Sequence, residues 1–354
     1  MKNLFRRKSV LGISPIGALI SYVILGFWAF LILFPLYWIT ITSFKLPSTV
    51  NNGPFYIPFV DFQPSLHAWQ YIFGEEGKGT ITKFTNTVVV SLVSTFFSVT
   101  FGSMAAYALS RFVYRPKVGT VFTFIFCMVL ALLLGFGLKV PWPLTLVIVI
   151  AIFVGSLLTL SKRVFKRELG NGNIAFWLIS QRMMPPIAAI IPIYYMYLTV
   201  QNAFKSIGLD WRVLDTWTAL IISYVAANLP IVIWLMRDYF ENIPRELEES
   251  AAIDGASRYT TVVKVVLPLV APGLVATFLF VLVFAWNEYL LALFLSNANT
   301  QTLPLFVVAQ NATRGPQWWY LSVLVLVMIL PVIVMAIFLE RYISRGLLAG
   351  AVKG

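Results

Sequence analysis

Long uninterrupted apolar runs constrain the fold of this chain more than any other feature of its sequence. About 20 apolar residues in a helix cross a hydrocarbon core of about 30 Å. Eight predominantly apolar, charge-free runs of at least that length occur in the 354 residues. They cover residues 9–44, 84–110, 118–138, 140–161, 183–204, 216–236, 265–287 and 315–339. We therefore predict an all-α, polytopic integral membrane protein.

The composition excludes the main alternatives to a helical membrane protein. Only 11% of the residues are charged, against about 25% in an ordinary soluble domain. A membrane barrel needs alternating strands of about 10 residues, whereas these runs are long and do not alternate. The single Cys127 excludes an intrachain disulfide and a site built from several thiolates.

The basic residues predict the orientation in the membrane. With the N-terminus inside, the inner segments hold 18 of the 26 Lys and Arg residues and the outer segments hold seven, with Arg182 left in a span. Such a bias places both termini in the cytoplasm by the positive-inside rule. A nucleic-acid interface is the competing use of basic charge. We expect no nucleic-acid partner, because these residues form short flanks beside the spans.

The internal loop at residues 237–267 holds six of the 14 acidic residues, more than any other loop. Pro244 fits a first helical position, and the glutamates after it lie where a helix dipole favours acids. Gly255 can end that helix in a left-handed cap, Ser257 can cap the next helix and Pro268 can open the following span. We predict two short helices at an angle. Acids repel anionic lipid, so we expect a protein partner for this loop.

The spacing within this loop resembles a known motif. Glu249-Ser250-Ala251 is followed after three residues by Gly255, then after nine by Val265, and after one more by Leu267-Pro268. This order is similar to the EAA motif of ABC importer permeases, with Ser250 and Val265 as conservative departures. Four further stretches resemble the carbohydrate-import subfamily, in particular its second, maltose-permease-like subunit. They are Asn86–Val90 with Ala105–Phe112, Met183–Tyr194, Trp286–Leu293 and Gly346–Gly354.

The resemblance implies a type I importer transmembrane fold with six core helices, in one transmembrane domain over about residues 84–340. It implies a multi-pass protein of the plasma (inner) membrane that is no enzyme and needs no cofactor. The implied partners are a second permease subunit, two ATP-binding cassette subunits, an extracytoplasmic solute-binding protein and a sugar or polyol. The acidic loop is then the coupling helix, which docks into an ATPase. The implied coupling residues are Glu248, Glu249, Ala251, Asp254, Gly255, Leu267 and Pro268.

The resemblance lapses between residues 118 and 165, where two extra runs occur. We predict an inserted transmembrane hairpin there, between spans 1 and 2 with their external loop 45–82 (residues 1–117) and the remaining core spans (residues 166–354). An added pair of spans leaves the orientation of every later span unchanged. A re-entrant or interfacial hairpin is the alternative, since Pro141 and Pro143 can also bend a loop halfway through the membrane.

Ionisable groups inside spans are costly and mark candidate functional sites. Arg182 precedes a pair of prolines, and Glu288 follows Trp286 and Asn287. Trp can stack on a sugar ring, and the other three can hydrogen-bond its hydroxyls. We predict that these four residues line the substrate pathway. The alternative is that Arg182 pairs two helices and Glu288 lies at the outer interface.

Two rival functions remain, a stand-alone secondary sugar transporter and an intramembrane enzyme. A proton-coupled carrier normally places several acids or histidines within spans, and only Glu288 qualifies here. No His-Glu-x-x-His pair or Gly-x-Ser-x-Gly elbow occurs. Residues Gly74–Thr80 lack the Gly-Lys-Ser/Thr ending of a phosphate loop. We therefore expect ATP hydrolysis on a separate subunit.

Overall fold

The computed structural model describes residues 15–113, 117–159, 168, 170–314 and 316–351. These residues are almost entirely helical, and their extended pairing is confined to two isolated bridges. The all-α prediction is thus confirmed. The α-helices, in chain order, are α1 Pro15–Thr42, α2 Pro47–Asn52, α3 His67–Gln70, α4 Gly77–Arg111, α5 Val118–Leu132, α6 Trp142–Thr159, α7 Asn171–Ser180, α8 Pro186–Ser206, α9 Trp217–Glu241, α10 Glu246–Ile253, α11 Arg258–Thr261, α12 Leu267–Trp286, α13 Leu290–Leu295, α14 Leu303–Arg314 and α15 Trp318–Ala351.

Seven helices of the described residues are long and apolar enough to cross a membrane. They correspond to seven of the eight predicted runs. The remaining run, at 140–161, contains α6, which is a shorter apolar helix. Residues 160–165 of the predicted hairpin lie outside the described residues, as do the first 14 residues and the last three. The final helix continues to Ala351, beyond the predicted end of the span at residue 339.

The chain forms two compact units. Unit 1 comprises residues 1–90, 212–217 and 286–338. Its core contains six buried side chains, from α3, the π-helical turn that follows it, α14 and α15. They are Ala68, Ile72, Leu303, Phe306, Val323 and Leu324. The external loop is therefore ordered by its own apolar residues packed on the last span.

Unit 2 comprises residues 91–211, 218–285 and 339–354. Its core joins α4, α9 and α12, and two glycines allow the close approach of these helices. A Cβ built on Gly102 would lie 2.7 Å from the Cβ of Val232, and one on Gly273 would lie 2.5 Å from the Tyr239 ring. Both distances are shorter than real Cβ contacts, so only glycine fits at these two crossings.

The inserted segment is a helical hairpin within unit 2. Phe124 of α5 meets Phe153 of α6 edge-on, with ring centroids 6.1 Å apart. The two feet of the hairpin come together, because Lys117 and Glu168 form an antiparallel bridge. Asn171 then donates to the carbonyls of Leu109 and Phe112 at the end of α4, both at 2.6 Å. The chain thus departs from the end of α4, forms the hairpin and returns to the same place. Without α5 of the hairpin, six of the seven candidate spans of the described residues remain as core spans.

Two of the core spans contain irregular turns next to prolines. Between α7 and α8 the helix is interrupted by a 3₁₀ turn at Gln181–Met183 and by an extended Met184, before Pro185 and Pro186. Between α11 and α12 a π-helical turn at Val262–Val266 keeps the helix continuous from Arg258 to Trp286. The prediction that Pro268 opens the span is wrong. The wider π turn accommodates the missing N–H of Pro268 inside the helix.

Candidate functional sites

The helix of the acidic loop, α10, is defined by its own sequence at both ends. Its first turn holds Glu246, Glu248 and Glu249, where the helix dipole favours negative charge. At its end Gly255 adopts φ +82°, the left-handed conformation that was predicted. The N–H of Ala256 donates to Ala251 O at 2.9 Å, and that of Gly255 to Ala252 O at 3.1 Å. These two bonds are the Schellman pattern of a helix end.

The flanks of α10 differ from the prediction in one respect and agree in another. Pro244 lies two residues before Glu246 and is not a first helical residue, because Arg245 occupies the N-cap. Ser257 caps α11 as predicted, its Oγ accepting from Thr260 N at 3.2 Å. Because α11 continues into α12, the loop contains one short free helix and a second helix that belongs to the span.

Glu248 connects α10 to the end of α4. Its carboxylate accepts from Arg111 Nε at 2.5 Å and from the Tyr107 hydroxyl at 2.7 Å. Arg111 also donates to Ile243 O at 3.1 Å, and Arg245 donates to Ser110 O at 2.9 Å. The structure therefore gives Glu248 an internal anchoring position. The spacing of the motif could not distinguish this position from an outward-facing one.

The other predicted coupling residues have different surroundings. Glu249, Asp254, Gly255 and Pro268 are exposed, whereas Ala251 and Leu267 are partly buried. Leu267 lines an apolar groove of about 680 Å³. Two large apolar side chains are exposed beside the acids, Ile253 at 87% and Tyr259 at 78%. The outer surface of the loop thus combines carboxylates with exposed apolar groups, a composition suited to a protein partner.

The predicted pathway residue Arg182 lies at the break between α7 and α8 in unit 2. Its Nη2 donates to Asn228 Oδ1 at 2.8 Å, and its Cζ lies 5.4 Å from the centre of the Phe284 ring. Asn228 is buried in α9. A helix break at membrane depth is tolerated where the backbone contacts protein or a water-filled cavity. A water-filled cavity would agree with a pathway role of Arg182, and contact with protein would agree with its structural role in pairing two helices.

Trp286 is the last residue of α12, and Asn287 and Glu288 follow it; all three belong to unit 1. Trp286 is only 2% exposed, its indole N–H donates to Met328 O at 3.1 Å, and it meets the Phe84 ring edge-on. Trp286 is thus a packed side chain, and its predicted role in the substrate pathway stays a prediction. Asn287 is exposed, and Glu288 Oε1 accepts from Leu291 N at 3.0 Å.

A second polar cluster, in unit 1, was not predicted from the sequence. Asn86 of α4 is 3% exposed; it donates to Asn299 O and Gln301 O at 3.1 and 3.0 Å and accepts from Trp217 Nε1 at 2.9 Å. The Asp215 carboxylate binds the same loop, accepting from Asn297 N at 2.8 Å and from the Thr300 hydroxyl at 2.8 Å. Together they fix residues 296–302.

Electrostatics in this cluster favour the charged form of Asp215. Burial on its own raises the pKa of Asp215, but hydrogen bonds from Asn297, Thr300 and Asn299 outweigh burial and hold the pKa below its usual value. Asp215 also adopts φ 58°, which Asp tolerates better than most residues. The sequence signal for the cluster is Asn86, which lies in a stretch that resembles the carbohydrate-import subfamily but does not by itself indicate these contacts.

The structure thus combines several helices long enough to span a membrane with an acidic loop helix, α10, held at the end of α4. These are the features of a membrane transport subunit. The chain belongs to the family described as the binding-protein-dependent transport system inner membrane component, which it matches over residues 148–348. It is therefore a permease subunit of the inner membrane and not an enzyme, as the resemblance implied.

Three similar proteins cover nearly the whole chain. The trehalose/maltose transport system permease protein MalG of Thermococcus litoralis is 26% identical over 92% of this chain and 93% of its own length. The trehalose transport system permease protein SugB of Mycobacterium tuberculosis is 29% identical over 91% and 93%. The crystal structure of a bacterial ABC transporter that imports alginate shares the fold, with a TM-score of 0.58 and 22% identity over 93% of this chain and 96% of that one.

Proposed function

We propose that this permease forms half of the translocation pathway of an ATP-driven importer for a sugar or polyol. The proposed assembly has a second permease subunit, two cytoplasmic ATP-binding cassette subunits and an external solute-binding protein. The names of the relatives MalG and SugB support a saccharide substrate. The family description supports a binding protein and disfavours a stand-alone carrier.

The observation that best supports this function is the double connection of α10 to the membrane spans. Its body is linked to α4 through Glu248 and Arg111, and Ser257 caps a helix that continues from Arg258 into α12. A displacement of α10 by an ATPase would then be passed to α4 through this ion pair and to α12 through the short turn at residues 254–257. Such a connection converts closure of the ATPase into a rigid-body change of the spans.

The proposed contact with the ATPase uses the exposed surface of α10 and α11. Glu249 and Asp254 supply negative charge, and Ile253 and Tyr259 supply apolar area. We expect a cleft on the ATPase with basic groups and an apolar floor. This assignment requires the loop, and with it both termini, to lie in the cytoplasm, as the basic flanks predict.

The function is tested by reconstituting the permease with its genomic neighbours in proteoliposomes. The binding protein is loaded in turn with trehalose, maltose, glucose, sorbitol or glycerol 3-phosphate, and ATP hydrolysis and uptake are measured. We expect one sugar or polyol to stimulate both activities. Uptake by the permease alone, driven by a proton gradient and unaffected by ATP, would establish the carrier instead. A response to glycerol 3-phosphate alone would contradict the proposed substrate class.

A further inference from the structure

The external loop presents an uncharged apolar turn at residues 56–60, which we name the apolar tip. Its sequence is Tyr-Ile-Pro-Phe-Val. Tyr56 and Ile57 are 45% and 54% exposed, and Phe59 and Val60 are 74% and 77% exposed. Phe59 and Val60 are thus mostly uncovered by the described protein, and Tyr56 and Ile57 about half covered, which marks a contact with another apolar phase.

The apolar tip is held in one conformation by its own hydrogen bonds. The Asp61 carboxylate accepts from the N–H groups of Tyr56 and Ile57 at 2.8 and 2.9 Å, and Phe59 N donates to Phe62 O at 2.8 Å. Phe59 has φ 65°, a conformation that a bulky residue adopts only when its surroundings impose it. The turn therefore displays the Phe59 ring outward.

Contacts with α1 place the apolar tip beside the end of a membrane span. The Tyr37 hydroxyl donates to Tyr56 O at 2.6 Å, and the Trp38 and Tyr56 rings lie 5.3 Å apart. Tyr37 precedes the last residue of α1, Thr42, by five residues, or about 7.5 Å along the axis. Its side chain leans toward the helix N-terminus, further into the span. Tyr56 thus lies level with the final turns of the span.

Lys45 fixes this depth by linking the helix end to the loop. It is 2% exposed, and its Nζ donates to Phe55 O at 2.6 Å. The same Nζ lies 4.4 Å from the centre of the Trp38 ring and 5.1 Å from that of Phe62. Lys45 thus contacts the residue just before the tip, Phe55, and one shortly after it, Phe62. The apolar tip therefore cannot move away from α1 without breaking these contacts.

We propose that the apolar tip inserts into the membrane interface at the end of α1 and anchors the external loop to the lipid. The boundary between headgroups and acyl chains accommodates aromatic and aliphatic side chains of this kind. At 28 residues, α1 exceeds the roughly 20 needed to cross the hydrocarbon. The level of Tyr37 therefore falls near that boundary. The proposal depends on α1 as a span and not on the identity of the solute.

Depth-dependent fluorescence quenching tests the proposal on the full chain with its partner subunits in lipid nanodiscs. The native thiol is removed by Cys127→Ala, and the fluorophore NBD is attached to Phe59→Cys or, with the Phe59 ring intact, to Val60→Cys. Glu75→Cys is the matched control, because Glu75 is exposed in the same unit and precedes the long helix α4. Phosphatidylcholine with a doxyl group at acyl carbon 5 is the lipid quencher, and iodide is the aqueous quencher. Both leaflets contain the lipid quencher, so the result does not depend on orientation.

We expect the lipid quencher to act about twofold or more strongly at positions 59 and 60 than at position 75, with the opposite order for iodide. Equal quenching at all three positions would show a tip in water and overturn the proposal. Protection of 59 and 60 from both quenchers would also overturn it, because a partner protein would then cover the tip. Sugar-stimulated ATP hydrolysis by the same labelled complexes separates this result from the proposed transport function.

Discussion

The Arg111 guanidinium at the end of α4 holds the Glu248 carboxylate of α10, with Nε and Oε1 2.5 Å apart. Both side chains are largely buried, at 8% and 16% exposure. Tyr107 donates to the second carboxylate oxygen at 2.7 Å, so both oxygens have partners. Removal of one member of such a pair leaves a poorly solvated charge. We therefore interpret Glu248 as the residue that anchors the loop helix to α4. The exposed Glu249 beside it is then available to contact a partner protein.

Our first prediction is a strong coupling energy between Arg111 and Glu248. Arg111→Ala and Glu248→Ala should each destabilise the protein, and the double variant should lose less than the sum by about 1–3 kcal/mol. Denaturant unfolding in detergent of the four proteins of the cycle measures this term. The exposed pair Arg237 and Glu241, at 23% and 45% exposure, is the control and should couple by only about 0.3–0.5 kcal/mol. Equal coupling in the two cycles would contradict the anchoring role.

The second prediction separates docking from folding at Glu249. Glu249→Lys reverses an exposed charge and should leave the permease inserted and stable while co-purification of the ATPase and sugar-stimulated hydrolysis both fall. Asp238→Lys changes the net charge equally at an exposed position of α9 and should leave both unchanged. Wild-type coupling in the Glu249 variant would refute the coupling assignment for this surface.

The local structure of the acidic loop could be predicted because its signals are local. Acids at the start of α10, Gly255 at its end and the cap at Ser257 each act within a few residues. The bond from Arg111 to Glu248 joins residues 137 positions apart and has no signature in spacing. The π turn before Pro268 was missed for a related reason, since helix packing determines whether a proline ends a helix or is accommodated in it.

The spans were predictable from hydropathy, but the use of polar residues near them was not. Trp286 carries a polar indole N–H and Asn86 a side-chain amide, and both lie toward the end of a span. Only tertiary contacts show that Trp286 packs on Phe84 and that Asn86 holds the loop after α13. The cost of burying a polar group indicates that the residue needs a hydrogen-bond partner. It does not indicate whether that partner is a solute or another part of the protein.

Our third prediction concerns acid sensitivity of the loop held by Asp215. Its folded pKa is lower than its unfolded value, so its contribution to stability is complete above the usual aspartate pKa of about 3.9. The contribution is lost as the pH falls through the lowered folded value. Asp215→Asn tolerates φ 58° but removes the charge, so residues 296–302 should open more readily at neutral pH and respond less to acid. Hydrogen exchange at pH 7, 5 and 3.5, corrected for intrinsic rates, measures both effects.

The fourth prediction concerns the sidedness of the hairpin. On the Cys127→Ala background, Val140→Cys between α5 and α6 should react with an impermeant thiol reagent in intact cells. Gly170→Cys, which is exposed before α7, should react only after the cells are permeabilised. Labelling of neither position, or the reverse order, would contradict a hairpin that crosses the membrane and returns with its feet in the cytoplasm.

The last prediction distinguishes a pathway role of Arg182 from a structural one. Arg182→Ala removes the guanidinium that binds Asn228 and stacks near Phe284. If the guanidinium meets the solute, uptake should fall about tenfold or more while assembly with the ATPase is kept, since a lost charged hydrogen bond costs about 1.5–3 kcal/mol. Arg182→Lys keeps the charge but not the planar fork and should recover only part of the activity. Met183→Ala, at a neighbouring side chain that is 83% exposed, is the control and should transport normally. A parallel loss of melting temperature and uptake in Arg182→Ala would instead identify Arg182 as a link between helices.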